Sequence, residues 1–87
     1  MNVFSAEAEV RLPRLVLIGR EKLLIEQHRG LYSYETRCIR VRSRDGLIAV
    51  SGEKLIISFF GAEDMQIEGH VTGIALEDGD AGGKNGR

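Results

Sequence analysis

The sequence predicts an all-β fold: a small antiparallel meander, sandwich or roll of about six to eight short strands. Short runs rich in Val, Ile, Leu and Phe recur along the chain, and turn residues separate them at intervals of roughly eight to ten residues. After Pro13, no stretch of about 10–12 residues has helical periodicity without an intervening glycine. The connections are too short for helical crossovers, which favours an antiparallel, up-and-down arrangement.

A compact β-solenoid-like stack is the alternative, because apolar triplets that end in glycine recur as LIG, VSG, FFG and IEG. Their unequal spacing favours the meander. A chain of 87 residues is one domain at most. We predict an N-terminal extension over residues 1–12, a single all-β domain over residues 13–77 and a disordered, glycine-rich tail over residues 78–87.

The first predicted strands follow Pro13, which favours extended chain. Residues 15–18 form a short strand, and residues 23–28 form the next one after a turn at Gly19. In that second strand the alternation places Leu23, Ile25 and Gln27 on one face, and Leu24, Glu26 and His28 on the other. Extended runs over residues 31–35 and 37–43 follow, with Ile39 and Val41 on the buried face.

The longest apolar run, over residues 47–60, is the predicted centre of the sheet. Asp45-Gly46 predicts a type I′ hairpin turn before it, and Gly52-Glu53 predicts a second hairpin turn within it. Residues 47–51 and 55–60 would then be two paired strands. A loop over residues 61–64, the alternation of Met65 with Ile67 and the apolar Ile74 and Leu76 complete the predicted body.

The residues carry no recognisable chemistry, so we expect no enzyme activity, metal, cofactor or small-molecule substrate. Cys38 is the single cysteine, which excludes an internal disulfide. His28 and His70 lack the paired spacing of metal ligands, and no nucleophile or phosphate-loop motif occurs. No apolar run is long enough to span a membrane, and the N-terminal residues lack the features of a secretory signal. We therefore predict a cytoplasmic protein.

Two kinds of binding remain as hypotheses. A small sheet has edges that need protection, so self-assembly or docking by strand addition is a natural activity. The alternative is nucleic-acid binding through a basic ridge near two tyrosines, although the chain carries a net charge of −1. The residues of this ridge are Arg37, Arg40, Arg42 and Arg44.

Several fragments, in order and spacing, resemble the YabP/YqfC family of sporulation proteins, and its YqfC branch in particular. They are LPR with LIG at residues 12–19, IE and HRG at residues 25–30, G with LII at residues 52–57, and IEG at residues 67–69. The resemblance covers about residues 11–76. It implies a non-enzymatic accessory or scaffold protein of endospore formation that acts in the mother cell, with a peripheral position at the forespore membrane and with a membrane protein or itself as partner.

The family implies no catalytic residues. The polar residues of the IEQHRG stretch, Glu26, His28 and Arg29, are the predicted partner-binding patch, because they lie beside a tight turn. The simpler interpretation is that Arg29-Gly30 only forms the turn and that His28 is an exposed strand residue.

Overall fold

The structure of the protein, a computed structural model, describes residues 12–78. Within this range the chain forms six strands and no helix. The strands are β1 (Arg14–Ile18), β2 (Lys22–Glu26), β3 (Leu31–Glu35), β4 (Cys38–Ser43), β5 (Gly46–Phe60) and β6 (Asp64–Glu77). All pairs are antiparallel, in the order β1-β2-β6-β5-β4-β3. The predicted all-β fold is confirmed, as a single antiparallel sheet and not a solenoid.

The connection from β2 to β3 departs from the predicted up-and-down order. β2 pairs with β6, and β3 lies at the opposite edge of the sheet, beyond β4. The register sets Leu23 of β2 opposite Ile67 of β6, and all three of Leu23, Ile25 and Ile67 are fully buried. β3 has mostly exposed side chains, so it offers β2 no comparable apolar row to pair with.

The hairpin between β4 and β5 is confirmed, but its turn lies one residue earlier than predicted. Ser43 pairs with Gly46, so Arg44 and Asp45 are the two residues between the paired ends. Neither of them has a positive φ, which a type I′ turn requires at both positions. Gly46 instead follows the turn, with φ 143°, where an added Cβ would meet the backbone of Glu77.

The predicted hairpin turn at Gly52-Glu53 is wrong, because β5 runs through these residues as one strand of 15 residues. Both halves of β5 pair with the same strand, β6, and the chain reverses only at residues 61–63. Gly52 allows a close approach of two backbones, because a Cβ at this position would clash with the carbonyl oxygen of His70. Glycine is favoured both in tight turns and at close backbone contacts, so its presence at position 52 did not distinguish a turn from a continuous strand.

The sheet bends where β5 and β6 carry their irregularities, and its two halves share one core. The register shifts between Ser51 and Gly52 and again between Glu53 and Ile56, as expected of bulges that bend a strand. Lys54 has φ 56° at this bend. Buried residues from both sides of the bend form a single cluster: Leu23, Ile25, Ile39, Val41, Ile48, Val50, Leu55, Met65, Ile67 and Val71.

The strands span residues 14–77, within the predicted domain of residues 13–77. The predicted N-terminal extension and C-terminal tail lie outside the described residues, apart from Leu12 and Asp78. Those two parts of the domain division stay predictions.

Candidate interaction site

The segment that crosses from β2 to β3, residues 27–30, contains most of the predicted partner-binding patch. The strand ends after Glu26 because Gln27 has φ 65°, a left-handed conformation that redirects the chain. The amide of His28 donates to the carbonyl of Glu63 at 3.0 Å, and the amide of Arg29 donates to the carbonyl of Arg42 at 2.8 Å. Backbone hydrogen bonds therefore attach this crossover to both halves of the sheet.

His28 is buried, with 5% of its surface exposed, so it is not the exposed strand residue of the simpler interpretation. Its Nδ1 accepts the amide of Gly30 at 2.9 Å, and its Nε2 lies 2.9 Å from the carbonyl oxygen of Gly61. Because a backbone amide can only donate, Nδ1 is the acceptor, and the proton of the neutral ring is on Nε2, where it donates to Gly61. Nδ1 therefore fixes the conformation of the crossover itself, and Nε2 holds the crossover against the loop after β5.

Phe60 completes this arrangement. Its ring stacks on that of His28, with centroids 5.2 Å apart and an interplanar angle of 26°. An open cleft of about 490 Å³ lies beside the stack. We call this region the crossover corner; it is lined by Gln27, His28, Arg29, Gly30, Phe60, Gly61, Ala62 and Glu63.

The three predicted patch residues occupy different positions at this corner. Arg29 is exposed and lines the cleft, whereas His28 supports it from within. Glu26 does not line the cleft; it accepts a hydrogen bond from Arg14 Nη1 at 3.3 Å, across the β1–β2 pair. The structure therefore brings His28 and Arg29 together and separates Glu26 from them. Whether any of the three contacts a partner stays a prediction.

Two phenylalanines at the end of β5 are exposed, which the prediction of residues 47–60 as the centre of the sheet did not anticipate. Phe59 is 56% exposed and Phe60 is 54% exposed. Phe59 lies opposite Gln66 and Phe60 lies opposite Met65, so the two rings belong to opposite faces of the sheet. Adjacent aromatic residues on a strand cannot share one buried face, and this was the available signal.

The outer face next to Phe59 is partly apolar. The registers align Val16, Leu24, Gln66 and Phe59 in one row across β1, β2, β6 and β5. Gln66 Nε2 donates to Ser58 Oγ at 3.1 Å and to Glu68 Oε2 at 2.8 Å, which fixes the amide in the middle of the row. The exposed aromatic end of β5 therefore joins this outer face to the crossover corner.

The arginine ridge is largely occupied by contacts within the chain. Arg40 Nε donates to Glu77 Oε1 at 3.2 Å, and this hydrogen bond to a carboxylate raises the pKa of Arg40 above its ordinary value. The guanidinium of Arg42 lies 4.8 Å from the centroid of the Tyr32 ring, and Arg44 pairs with Asp45 at 3.6 Å.

Arg37 is exposed in the turn between β3 and β4, at the opposite end of β4 from Arg44. The four arginines therefore do not form one continuous, uncompensated surface.

No three His, Cys, Asp or Glu side chains in the described part of the chain are grouped so that they could hold a metal ion. Cys38 is a half-buried free thiol. Between residues 12 and 78 there is also no helix of the length and apolar character needed to cross a membrane.

Comparison with known proteins shows similarity to a family model and to a curated relative. A sequence model of the YabP family matches residues 10–83. A curated relative, "Uncharacterized protein YqfC" from Bacillus subtilis (strain 168), is 32% identical over 60 residues. The aligned region covers 69% of this chain and 64% of the relative, so the chain matches less than two thirds of that protein's length.

Proposed function

The chain belongs to the YabP family, and on this premise we propose that it is a non-enzymatic accessory protein of spore formation that acts by binding another protein at the crossover corner. Family membership suggests a sporulation-related protein. We further propose that it acts in the mother-cell cytoplasm, peripheral to the forespore membrane, and that its partner is a membrane protein.

The observation that carries the binding site is the exposed Phe60, which lines a cleft with a fixed wall, together with the exposed Phe59 next to it on the outer face of β5. Phe59 and Phe60 are both more than half exposed, and Arg29 lines the cleft next to Phe60. Aromatic residues and arginine contribute most of the binding energy in many protein interfaces. The hydrogen bonds of His28 hold this surface in place before a partner arrives, which lowers the ordering cost of binding.

The test uses Phe59→Ser together with Arg29→Glu, because neither side chain belongs to the buried core. Tyr34→Ser is the matched control: Tyr34 is also a half-exposed aromatic residue, but it lies on β3 at the opposite edge. Each variant replaces the chromosomal copy in a spore-forming host, and thermal unfolding of the purified chain confirms that it folds.

We expect the wild type and Tyr34→Ser to co-purify with one membrane-fraction protein from sporulating cells and to give normal spores. Phe59→Ser with Arg29→Glu should lose that protein and lower the spore yield. Recovery of the wild type without any partner, together with normal spores after deletion, would overturn the proposal. A double variant that folds, keeps the partner and supports sporulation would overturn the choice of site.

A further inference from the structure

The second half of β6 has a neighbouring strand on one side only. Residues 64–68 lie between β2 and β5, and the amides of Gly69 and Val71 donate to the carbonyls of Glu21 and Arg20 in the β1–β2 turn. From Gly73 to Glu77, β5 continues as the partner on one side, and Thr72 is the extra residue of a bulge between Val71 and Gly73. On the other side, no backbone hydrogen bond within residues 12–78 reaches this segment. It is a free edge in the sense that it can accept another strand.

Past the bulge at Thr72, this edge lacks the usual protection against pairing. Residues 72–76 read TGIAL, without charge or proline, and their register with β5 is regular from Gly73 to Glu77. Proteins normally protect such an edge with lysine, proline or a bulge. By contrast, β3 has a register shift, and β1 begins at Arg14 directly after Pro13, so both of those edges carry such devices.

An apolar furrow runs along the same edge. A cavity of about 220 Å³ lies where Leu17 of β1 faces Thr72 and Ile74, and a second one of about 160 Å³ lies where Leu15 faces Leu76. Leu76 is 77% exposed, the largest exposed fraction among the large apolar residues of the described range. Apolar side chains and unsatisfied backbone groups at one place favour strand addition.

We propose that this edge pairs with the same edge of a second copy, antiparallel about a two-fold axis at Ala75. In an antiparallel sheet, residues directly opposite each other point to the same face. Ile74 and Leu76 lie two residues apart on one face, so an axis at Ala75 sets Ile74 opposite Leu76 of the second copy, and the reverse. Each furrow then receives the apolar side chains of the other chain.

The charges at the ends of the edge are complementary in this register. Thr72 lies opposite Asp78 of the second copy, and Arg20 lines the cavity next to Thr72. Arg20 has no ion pair within the described residues, so it is available to the incoming carboxylate. By symmetry, the pairing brings Arg20 of each copy close to Asp78 of the other copy. Because of this charge complementarity, we assign a second copy of the chain as the partner of the edge. It uses a different surface from the crossover corner and does not rest on the partner proposed there.

The test measures association of the full 87-residue chain by analytical ultracentrifugation over a wide concentration range. Leu76→Lys places a charge in the furrow, and its side chain is too exposed to be needed for folding. Ile18→Lys is the control, since Ile18 is 53% exposed on β1 and lines neither cavity of the furrow. We expect the wild type and Ile18→Lys to dimerise, and Leu76→Lys to raise the dimer Kd by about tenfold or more.

Cross-linking tests the register. In a Cys38→Ser background, Ala75→Cys places two thiols opposite each other at the axis, at the separation of a directly opposed strand pair, which a disulfide can bridge. Gly73→Cys places its thiol opposite Glu77 of the second copy, so oxidation should link Ala75→Cys much faster. A monomer at every concentration, a dimer unaffected by Leu76→Lys, or equal cross-linking of the two cysteine variants would overturn the proposal. So would a monomer that binds a different protein through the Leu76 edge.

Discussion

The rings of His28 and Phe60 are stacked, and the buried imidazole of His28 also bridges Gly30 and Gly61 by hydrogen bonds. Residues 33 positions apart are thus joined through one side chain. This joins the crossover between the two halves of the sheet to the loop between β5 and β6, and the exposed surface of Phe60 depends on it.

We expect His28→Ala to lower the free energy of unfolding by about 1–3 kcal/mol, because it removes two hydrogen bonds and the stacked ring together. Urea unfolding at neutral pH measures the effect. His70→Ala is the matched control, since His70 is exposed on β6 and its removal should change stability by less than about 0.5 kcal/mol. Equal effects of the two substitutions would mean that the bridge of His28 does not stabilise the fold.

Gly52→Ala should destabilise the protein by about 2–4 kcal/mol or prevent folding. The new Cβ would clash with the carbonyl oxygen of His70, and both groups belong to paired backbones that cannot move apart independently. Gly73→Ala serves as control, because no atom lies within 4 Å of its Cβ position and its φ is not positive. Soluble yield and urea unfolding report both outcomes. A stable Gly52→Ala would show that β5 and β6 are further apart at the bend.

Lys54→Gly should stabilise the protein by roughly 0.5–1 kcal/mol. Lys54 has φ 56°, and a left-handed conformation costs an L-residue about 1–2 kcal/mol, which exceeds the entropic cost of glycine. The adjacent Glu53→Gly should instead destabilise by about 0.5–1 kcal/mol, since Glu53 lies in the strand without a positive φ. Thermal and urea unfolding measure the change in the free energy of unfolding for each variant. Destabilisation by both substitutions would contradict a left-handed conformation at Lys54.

We expect the arginine ridge not to bind nucleic acid. Arg40, Arg42 and Arg44 already contact Glu77, Tyr32 and Asp45. We expect no mobility shift of single-stranded DNA or RNA at about 50 mM or about 200 mM salt. A shift that weakens with salt and disappears in Arg40→Glu with Arg42→Glu would instead establish the nucleic-acid alternative. A charge reversal elsewhere, Lys22→Glu on β2, controls for net charge.

The pattern of apolar residues predicted the features that depend on short stretches of sequence, namely the faces of individual strands and a hairpin. The buried face of β2 and that of β4 follow from the spacing of Leu23 with Ile25 and of Ile39 with Val41. Asp45-Gly46 placed a hairpin to within one residue. These features depend on residues that are close in sequence, so they can be predicted from the sequence alone.

The remaining features depend on distant contacts. Alternation placed His28 with Leu24 and Glu26, but the left-handed Gln27 interrupts it, and hydrogen bonds to Gly30 and Gly61 hold the ring inside. The run through Gly52 looked like two strands because only the carbonyl of His70, on another strand, explains the glycine. Nothing in the local sequence distinguishes these roles from those of a turn.

The pairing of β2 with β6 also determines the order in which the nascent chain can fold. β1 and β2 leave the ribosome well before β6 is synthesised, so one long side of that ribbon, with Leu23 and Ile25, waits uncovered during translation. β3, β4 and the start of β5 can associate as they emerge, because each pairs with its successor. Completion of β6 is therefore the step that closes the fold, and a ribosome stalled before it would hold an aggregation-prone chain.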